Sequence, residues 1–336
     1  MAIAARSADI MALAVSLSGS GHLLTYQLGV LRVLLHEAPA PWRDSVQLLA
    51  GTSGGAIVAA AAATVLHRGD LVAFDEFVTA AARGDAFRAF SAKLTPGAAR
   101  AATHRLFLGA TECETGRAVT FGRYDNADEL LACVLASAVI PRSAHPLDFI
   151  RLPGSSLLSS LLGGSRARLT WYPRREGVVV PVSCEWDIGE GRGGAPADNG
   201  VWGEEDFARA YVDGGLSSAL PRLPLQQLLE AEGLGPVSVL SVCPLAGPRG
   251  RQGNLGLAGS AGHYHLCPAD HSPRLPLALI SIAGLRLYPS LANARAAQTA
   301  MLGGSERLLR GWFERGRADA SDLVARGAPA EVLSHS

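Results

Sequence analysis

Aromatic side chains are scarce in this 336-residue chain, at 6%, and neither sign of charge prevails: 30 Lys and Arg stand against 30 Asp and Glu. Few aromatics leave little to build stacking platforms for single-stranded nucleic acid. A net charge of +0 argues against binding that leans on phosphate attraction or on general docking to anionic surfaces. Cysteines are few, odd in number and scattered (Cys113, Cys133, Cys184, Cys243 and Cys267), with no CxxC pair. They read as free thiols of a reducing, intracellular compartment, not as a disulfide framework or a zinc site. Long apolar runs are absent too. The longest candidate span, Leu275 to Leu291, is interrupted by Arg286 and Pro289. The short run Ile10 to Leu17 has poor flanks for a secretory signal, and cleavage after it would cut into a glycine-rich segment. What remains is 48% hydrophobic and 18% charged residues, the balance of a packed globular chain long enough for one large domain or two average ones.

Met11 to Ser18 reads as a buried strand ending at Gly19-Ser20-Gly21, and Leu24, Leu28, Leu31 and Leu35 then recur at helical spacing. Gln47 to Ala50 is a second strand stopped by Gly51, followed by an alanine-rich helix over 56–66. Strand, glycine turn and helix, repeated at once, predict an α/β sheet flanked by helices. Further along, helices are expected over 75–92, 126–138 and 292–315, and strands over 118–121, 177–180, 208–212 and 236–242. Residues 149–206 change texture and read as an insertion, with a mobile Gly- and acid-rich loop over 188–205. The expected organisation is an N-terminal tail (1–10), a main α/β domain (11–245) carrying that insertion, and a C-terminal extension (246–336), Gly-rich and then helical.

Three motifs carry chemistry. Gly51-Thr52-Ser53-Gly54-Gly55 fits G-x-S-x-G between a strand and a helix, where flanking glycines let a serine hydroxyl project from a tight corner. A helix N-terminus there favours the anionic intermediate of acyl transfer. Ser18-Gly19-Ser20-Gly21-His22 reads as an oxyanion loop of exposed backbone N–H groups. A dinucleotide fingerprint is the rival reading, but it needs glycine where Leu24 stands, and its acidic partner would be Glu37 or Asp44. Tyr211-Val212-Asp213-Gly214-Gly215 ends a strand on a carboxylate that can serve as general base if burial raises its basicity; alone, it is an ordinary turn signal. His263, His265 and His271 follow Asp213 in the order of a Ser…Asp…His triad, within a segment read as glycine-rich and mobile. His22, His36, His67, His104, His145 and His335 lack motif context. Dyad and triad both stay open on spacing alone.

Taken together, these blocks resemble the patatin-like phospholipases, and within them the adiponutrin-type lipases. Val15 to Val30 is similar to their first strand, oxyanion loop and helix, Gly51 to Gly55 to their nucleophile elbow, and Asp213-Gly-Gly215 to their aspartate motif. Ala136 to Pro141, Glu114-Thr-Gly116 with Val119-Thr-Phe121, and more loosely Leu266 to Asp270 add matches in family order across about residues 11–290. The resemblance implies a three-layer α/β/α patatin-like fold with a mainly parallel sheet. It also implies a Ser53–Asp213 dyad without histidine, and an oxyanion hole from Gly19, Ser20, Gly21 and His22 assisted by Gly54. Gly51, Gly55, Gly214 and Gly215 support the motifs, and no metal or cofactor is required.

The implied substrates are ester lipids such as triacylglycerols and (lyso)phospholipids, met at a membrane or lipid-droplet surface. The chain departs from the family at Leu24, which replaces the last glycine of the loop, and in the long 149–206 insertion, open to reading as a lid, a lipid-contacting flap or decoration. The pairs Leu157-Leu158 and Leu161-Leu162 are candidates for lipid contact or for a buried insertion helix. A lipid transacylase using the same dyad, and a non-catalytic lipid-binding relative, are the alternatives.

Overall fold

In the computed structural model, residues 12–66, 69–112, 118–138, 166–171, 174–175, 178–179, 182–187, 192–193, 211–221, 223, 237–248, 250–251, 260–272, 279–282 and 285–327 are described. The first strand, β1 (Ala12–Leu17), is buried along its whole length. A run without polar alternation suits a strand covered on both faces by other layers. Leu13, Val15 and Leu17 enter the larger core, while Ala12 and Ala14 join a second cluster with Leu48, Ala50, Phe107 and Val239. The chain then forms α1 (Leu24–Arg32), α2 (Ala40–Ser45), β2 (Val46–Thr52), α3 (Gly54–Thr64), α4 (Leu71–Ala82), α5 (Ala86–Lys93), α6 (Pro96–Ala101), β3 (Leu106–Glu112), β4 (Ala118–Phe121) and α7 (Ala127–Ala138).

Short antiparallel pieces follow in the 149–206 region: β5 (Arg166–Trp171), β6 (Arg174–Arg175), β7 (Val178–Val179), β8 (Val182–Asp187) and β9 (Arg192–Gly193). Then come β10 (Tyr211–Asp213), β11 (Val237–Val242), β12 (Gly250–Arg251), β13 (Ser260–Leu266), the hairpin β14 (Ile280–Ile282) and β15 (Leu285–Leu287), α8 (Leu291–Leu302) and α9 (Glu306–Val324). The leucine pairs at 157–158 and 161–162 lie outside the described residues, as do Glu114 to Gly116 and the Val139 to Pro141 end of that segment.

The architecture is α/β, with a mixed, mainly parallel central sheet flanked by helices. Six strands make its central run, β10, β3, β2, β1, β11 and β13, with β4 against β3 and β12 beyond β13. The pairs β3–β2, β2–β1, β1–β11 and β11–β13 are parallel; β10, β4 and β12 run antiparallel to their neighbours.

Several boundaries differ from the sequence expectation. The helix expected over 75–92 is two helices parted at Arg83–Asp85, where Gly84 takes φ +86°. That expected over 292–315 is likewise split. Gly303, at φ +78°, ends α8, and the Ser305 side chain caps α9 by accepting from the Leu308 N–H. Helical periodicity runs on through both breaks, so the apolar pattern hides them. His263 and His265 sit on a buried strand of the sheet, not in a mobile segment. The region assigned to a C-terminal extension therefore supplies a sheet strand. It also supplies α9, which lies against α1 so closely that a Cβ on Gly29 would meet the Phe313 carbonyl oxygen at 2.0 Å, and one on Gly316 the Tyr26 oxygen at 2.0 Å. Tyr26 Oη seals this contact by donating to Asp319 Oδ2 at 2.9 Å.

Candidate active site

The register of β3 brings together two residues far apart in sequence. Along one edge β3 pairs with β4, which meets Gly109, Ala110 and Thr111. Its opposite edge is shared by two strands arriving head to head. Parallel β2 ends with Thr52 opposite Gly109, and antiparallel β10 ends with Asp213 opposite Ala110. Consecutive positions of one strand thus hold the residue before Ser53 and Asp213 itself. Thr111 Oγ1 fixes the second arrival by donating to the Asp213 carbonyl at 2.8 Å.

Between β2 and α3 the chain turns on one residue. Ser53 adopts φ 55°, ψ −126°, a region that costs a non-glycine residue about 1–3 kcal/mol. Glycine is required on both sides of it. A Cβ on Gly51 would meet the Gly55 oxygen at 2.1 Å, and one on Gly55 the Leu17 and Ser18 oxygens at 2.6 Å. The bend is held from outside by Ser137 near the end of α7, whose Oγ accepts the Ser53 N–H at 3.0 Å and donates to the Gly109 carbonyl at 2.5 Å. One hydroxyl therefore ties the elbow to the strand that carries Asp213. Nothing in the spacing of the sequence marks Ser137 for this role; it lies within a buried, mostly apolar helix face.

Asp213 is buried, 1% exposed. Its Oδ1 accepts the Gly215 N–H at 2.7 Å, while Oδ2 has no hydrogen-bond partner. Burial raises its pKa from 3.8 to about 6, against the opposing pull of the Ser53 hydroxyl and the Gly215 N–H. The serine thus acts on the carboxylate, yet no hydrogen bond of full geometry closes on Oδ2. Gly214, just after β10, packs against β3 so closely that a Cβ would meet the Gly109 oxygen at 2.3 Å.

The loop after β1 lies beside the elbow. A Cβ on Gly19 would sit 3.6 Å from that of Ser53, and one on Gly54 would be 3.0 Å from the Gly21 nitrogen. Buried Gln27 pins this loop: its Nε2 donates to the Ser18 carbonyl at 2.7 Å, and its Oε1 accepts from Ser20 Oγ at 3.1 Å. In the sequence Gln27 carries no motif; its only signal is a polar residue within a mostly apolar, buried helix. Gly19 departs from the expected donor set, because its N–H is spent on the Ala219 carbonyl at 3.0 Å. Among the described residues, the N–H groups of Ser20, Gly21, His22 and Gly54 donate to no backbone carbonyl, which leaves four donors at the mouth of the turn.

The histidines lie elsewhere. His263 and His265 are on β13, three strands from β2 by way of β11 and β1, roughly 14 Å at ordinary strand spacing. His263 Nε2 is instead 2.5 Å from Ser241 Oγ. His22 packs its ring against Gly303, His271 is exposed, and His67, His145 and His335 lie outside the described residues. Of the acidic residues weighed for a dinucleotide ribose, Glu37 is engaged by Arg32 at 3.0 Å and Arg317 at 3.2 Å. Among the described residues no group of His, Cys, Asp and Glu forms a metal site, and no helix is long and apolar enough to cross a membrane. Cys133, Cys243 and Cys267 are buried thiols outside any disulfide, and burial pushes the Cys243 thiol to about 12. No protein-family profile matches the chain, and no curated protein is found to be similar to it.

Proposed function

We propose that this chain is an intracellular serine hydrolase of lipid carboxylic esters, built on a three-layer patatin-like fold. The observation that carries the reading is a serine held at positive φ on a helix N-terminus, facing a buried carboxylate whose Oδ2 is unpartnered and whose pKa is near 6. A carboxylate with that basicity and a vacant oxygen is suited to take a proton from a neighbouring hydroxyl at neutral pH.

Asp213 Oδ2 accepts the Ser53 proton as Oγ bonds to the ester carbonyl carbon, whose π electrons move to the carbonyl oxygen. The N–H groups of Ser20, Gly21, His22 and Gly54 receive that oxyanion, each such donor contributing on the order of 3 kcal/mol to the transition state. Collapse breaks the ester C–O bond, and the departing alkoxide takes the proton from Asp213. Water then repeats the sequence on the acyl-enzyme: Asp213 removes its proton, hydroxide oxygen joins the acyl carbon, and Ser53 leaves with the proton restored. No metal or cofactor enters these steps. Apolar substrate follows from the family resemblance. A reducing compartment accords with the buried thiols of Cys133, Cys243 and Cys267.

A panel of triacylglycerol, phospholipid and lysophospholipid esters tests the reading on wild type, Ser53→Ala, Asp213→Asn, His263→Ala and His265→Ala. Fatty acid release is expected from wild type and from both histidine variants, and from neither dyad variant. Turnover by Asp213→Asn, with loss in a histidine variant, would replace the dyad with a triad.

A further inference from the structure

Leucine at the end of a surface helix is normally turned inward, yet Leu302 is 76% exposed at the last position of α8. Met301 beside it is exposed, and so is Leu308, 46%, on the first turn of α9 across the Gly303–Ser305 corner. An apolar knuckle therefore projects where the two helices meet. Arg295 and Arg307 flank it, both exposed and, among the described residues, without an acidic partner. Glu306, the acid at the corner, is already engaged by Arg83 at 3.2 Å and Arg310 at 3.0 Å, so its charge is neutralised locally. Behind the knuckle a groove of about 530 Å³ opens between α8 and α9, with Ala296 and Trp312 in its wall and Arg315 over the Trp312 ring.

The corner abuts the candidate active site. A Cβ on Gly21 would lie 2.1 Å from the Ala300 oxygen, and one on Gly303 would lie 3.4 Å from the His22 ring. The end of α8 thus packs directly on the loop that lies beside Ser53.

Resting on the ester-hydrolase reading, we propose that Met301, Leu302 and Leu308, framed by Arg295 and Arg307, form the surface by which this protein docks on an anionic phospholipid bilayer, with the oxyanion loop turned toward the lipid. Exposed leucine and methionine enter the acyl boundary, while arginines at headgroup level gain from the negative surface potential. A protein partner seated on the same corner would cover the ground beside the loop that an ester must reach, whereas a bilayer supplies the ester there. The neutral chain as a whole has no general attraction to anionic surfaces, so the arginines act only as a local patch.

The test uses the full chain and sedimentation with phosphatidylcholine vesicles, with and without phosphatidylserine, alongside hydrolysis of water-soluble p-nitrophenyl butyrate. Wild type is expected to bind the phosphatidylserine vesicles more tightly than the neutral ones. Arg295→Glu/Arg307→Glu and, separately, Leu302→Asp are expected to weaken that binding by about tenfold or more. Both should retain wild-type cleavage of the soluble ester to within about twofold, since they touch neither dyad nor donors. Vesicle binding that vanishes in these variants supports the docking surface even if wild type proves inert on the soluble ester, a result that would count only against the hydrolase reading. Wild type that ignores vesicles, binds them as well after either change, or uses Leu302 instead to form a dimer overturns the proposal.

Discussion

Replacing Asp213 by asparagine removes a charge that the folded chain carries at a disadvantage. Burial lifts this carboxyl from 3.8 to about 6, so the native state holds its proton more tightly than the unfolded state does. The stability contribution of Asp213 is accordingly neutral below about pH 3, where both states are protonated. It becomes unfavourable as pH rises through 3.8 and levels off once pH has passed about 6, near pH 7. The difference between 3.8 and about 6 corresponds to about 3 kcal/mol. The asparagine side chain has no such titration. Its oxygen can still accept the Gly215 N–H, while its amide nitrogen replaces an Oδ2 that has no partner and so brings a constant offset of about 1–2 kcal/mol. The stability of Asp213→Asn minus that of wild type should therefore rise by about 3 kcal/mol from pH 3 to pH 7, whatever its starting value. Urea unfolding at several pH values measures it. A difference that stays constant across that range, or falls, would refute the assignment of Asp213 as a desolvated, ionised base.

Related outcomes are expected around the elbow. Ser53→Gly should be more stable than Ser53→Ala by on the order of 1 kcal/mol, because only glycine is relieved at φ 55°; equal thermal midpoints would contradict the strain. Ser137→Ala leaves the Ser53 N–H and the Gly109 carbonyl short of a partner, and is expected to lose about 1–3 kcal/mol of stability and to lower kcat at least about tenfold; unchanged kcat would remove Ser137 from the elbow's support. In the pH profile, kcat/KM should fall about tenfold per unit below pH 6 as Asp213 gains its proton, and His263→Ala should leave that limb in place; a limb that moves with His263 would point to the imidazole.

Much of this arrangement was legible in local pattern. Alanines and leucines at strand and helix period marked β1, α1, β2 and α3, and the Gly51–Gly55 spacing marked a turn that admits no side chain at its flanks. Tertiary pairing was not legible in the same way. That Asp213 approaches Ser53 follows from β10 and β2 meeting along one edge of β3, a register no local window contains. Ser137 and Gln27 act through single hydroxyl and amide groups on buried helix faces, where their neighbours are apolar and their partners distant in sequence. The capture of the Gly19 N–H by Ala219 depends on a contact between segments 200 positions apart. The histidines misled for the opposite reason: glycines over 247–262 imply a loose segment, whereas the pairing of β13 with β11 draws His263 and His265 into the sheet.

The central claim, an activated Ser53, is tested most directly by a fluorophosphonate probe with the modified peptide identified by mass spectrometry. Rapid stoichiometric labelling of Ser53 in wild type, strongly slowed in Asp213→Asn and unaffected in His263→Ala, is the predicted result. A wild-type chain that stays unlabelled, or takes the probe on another serine, would contradict it.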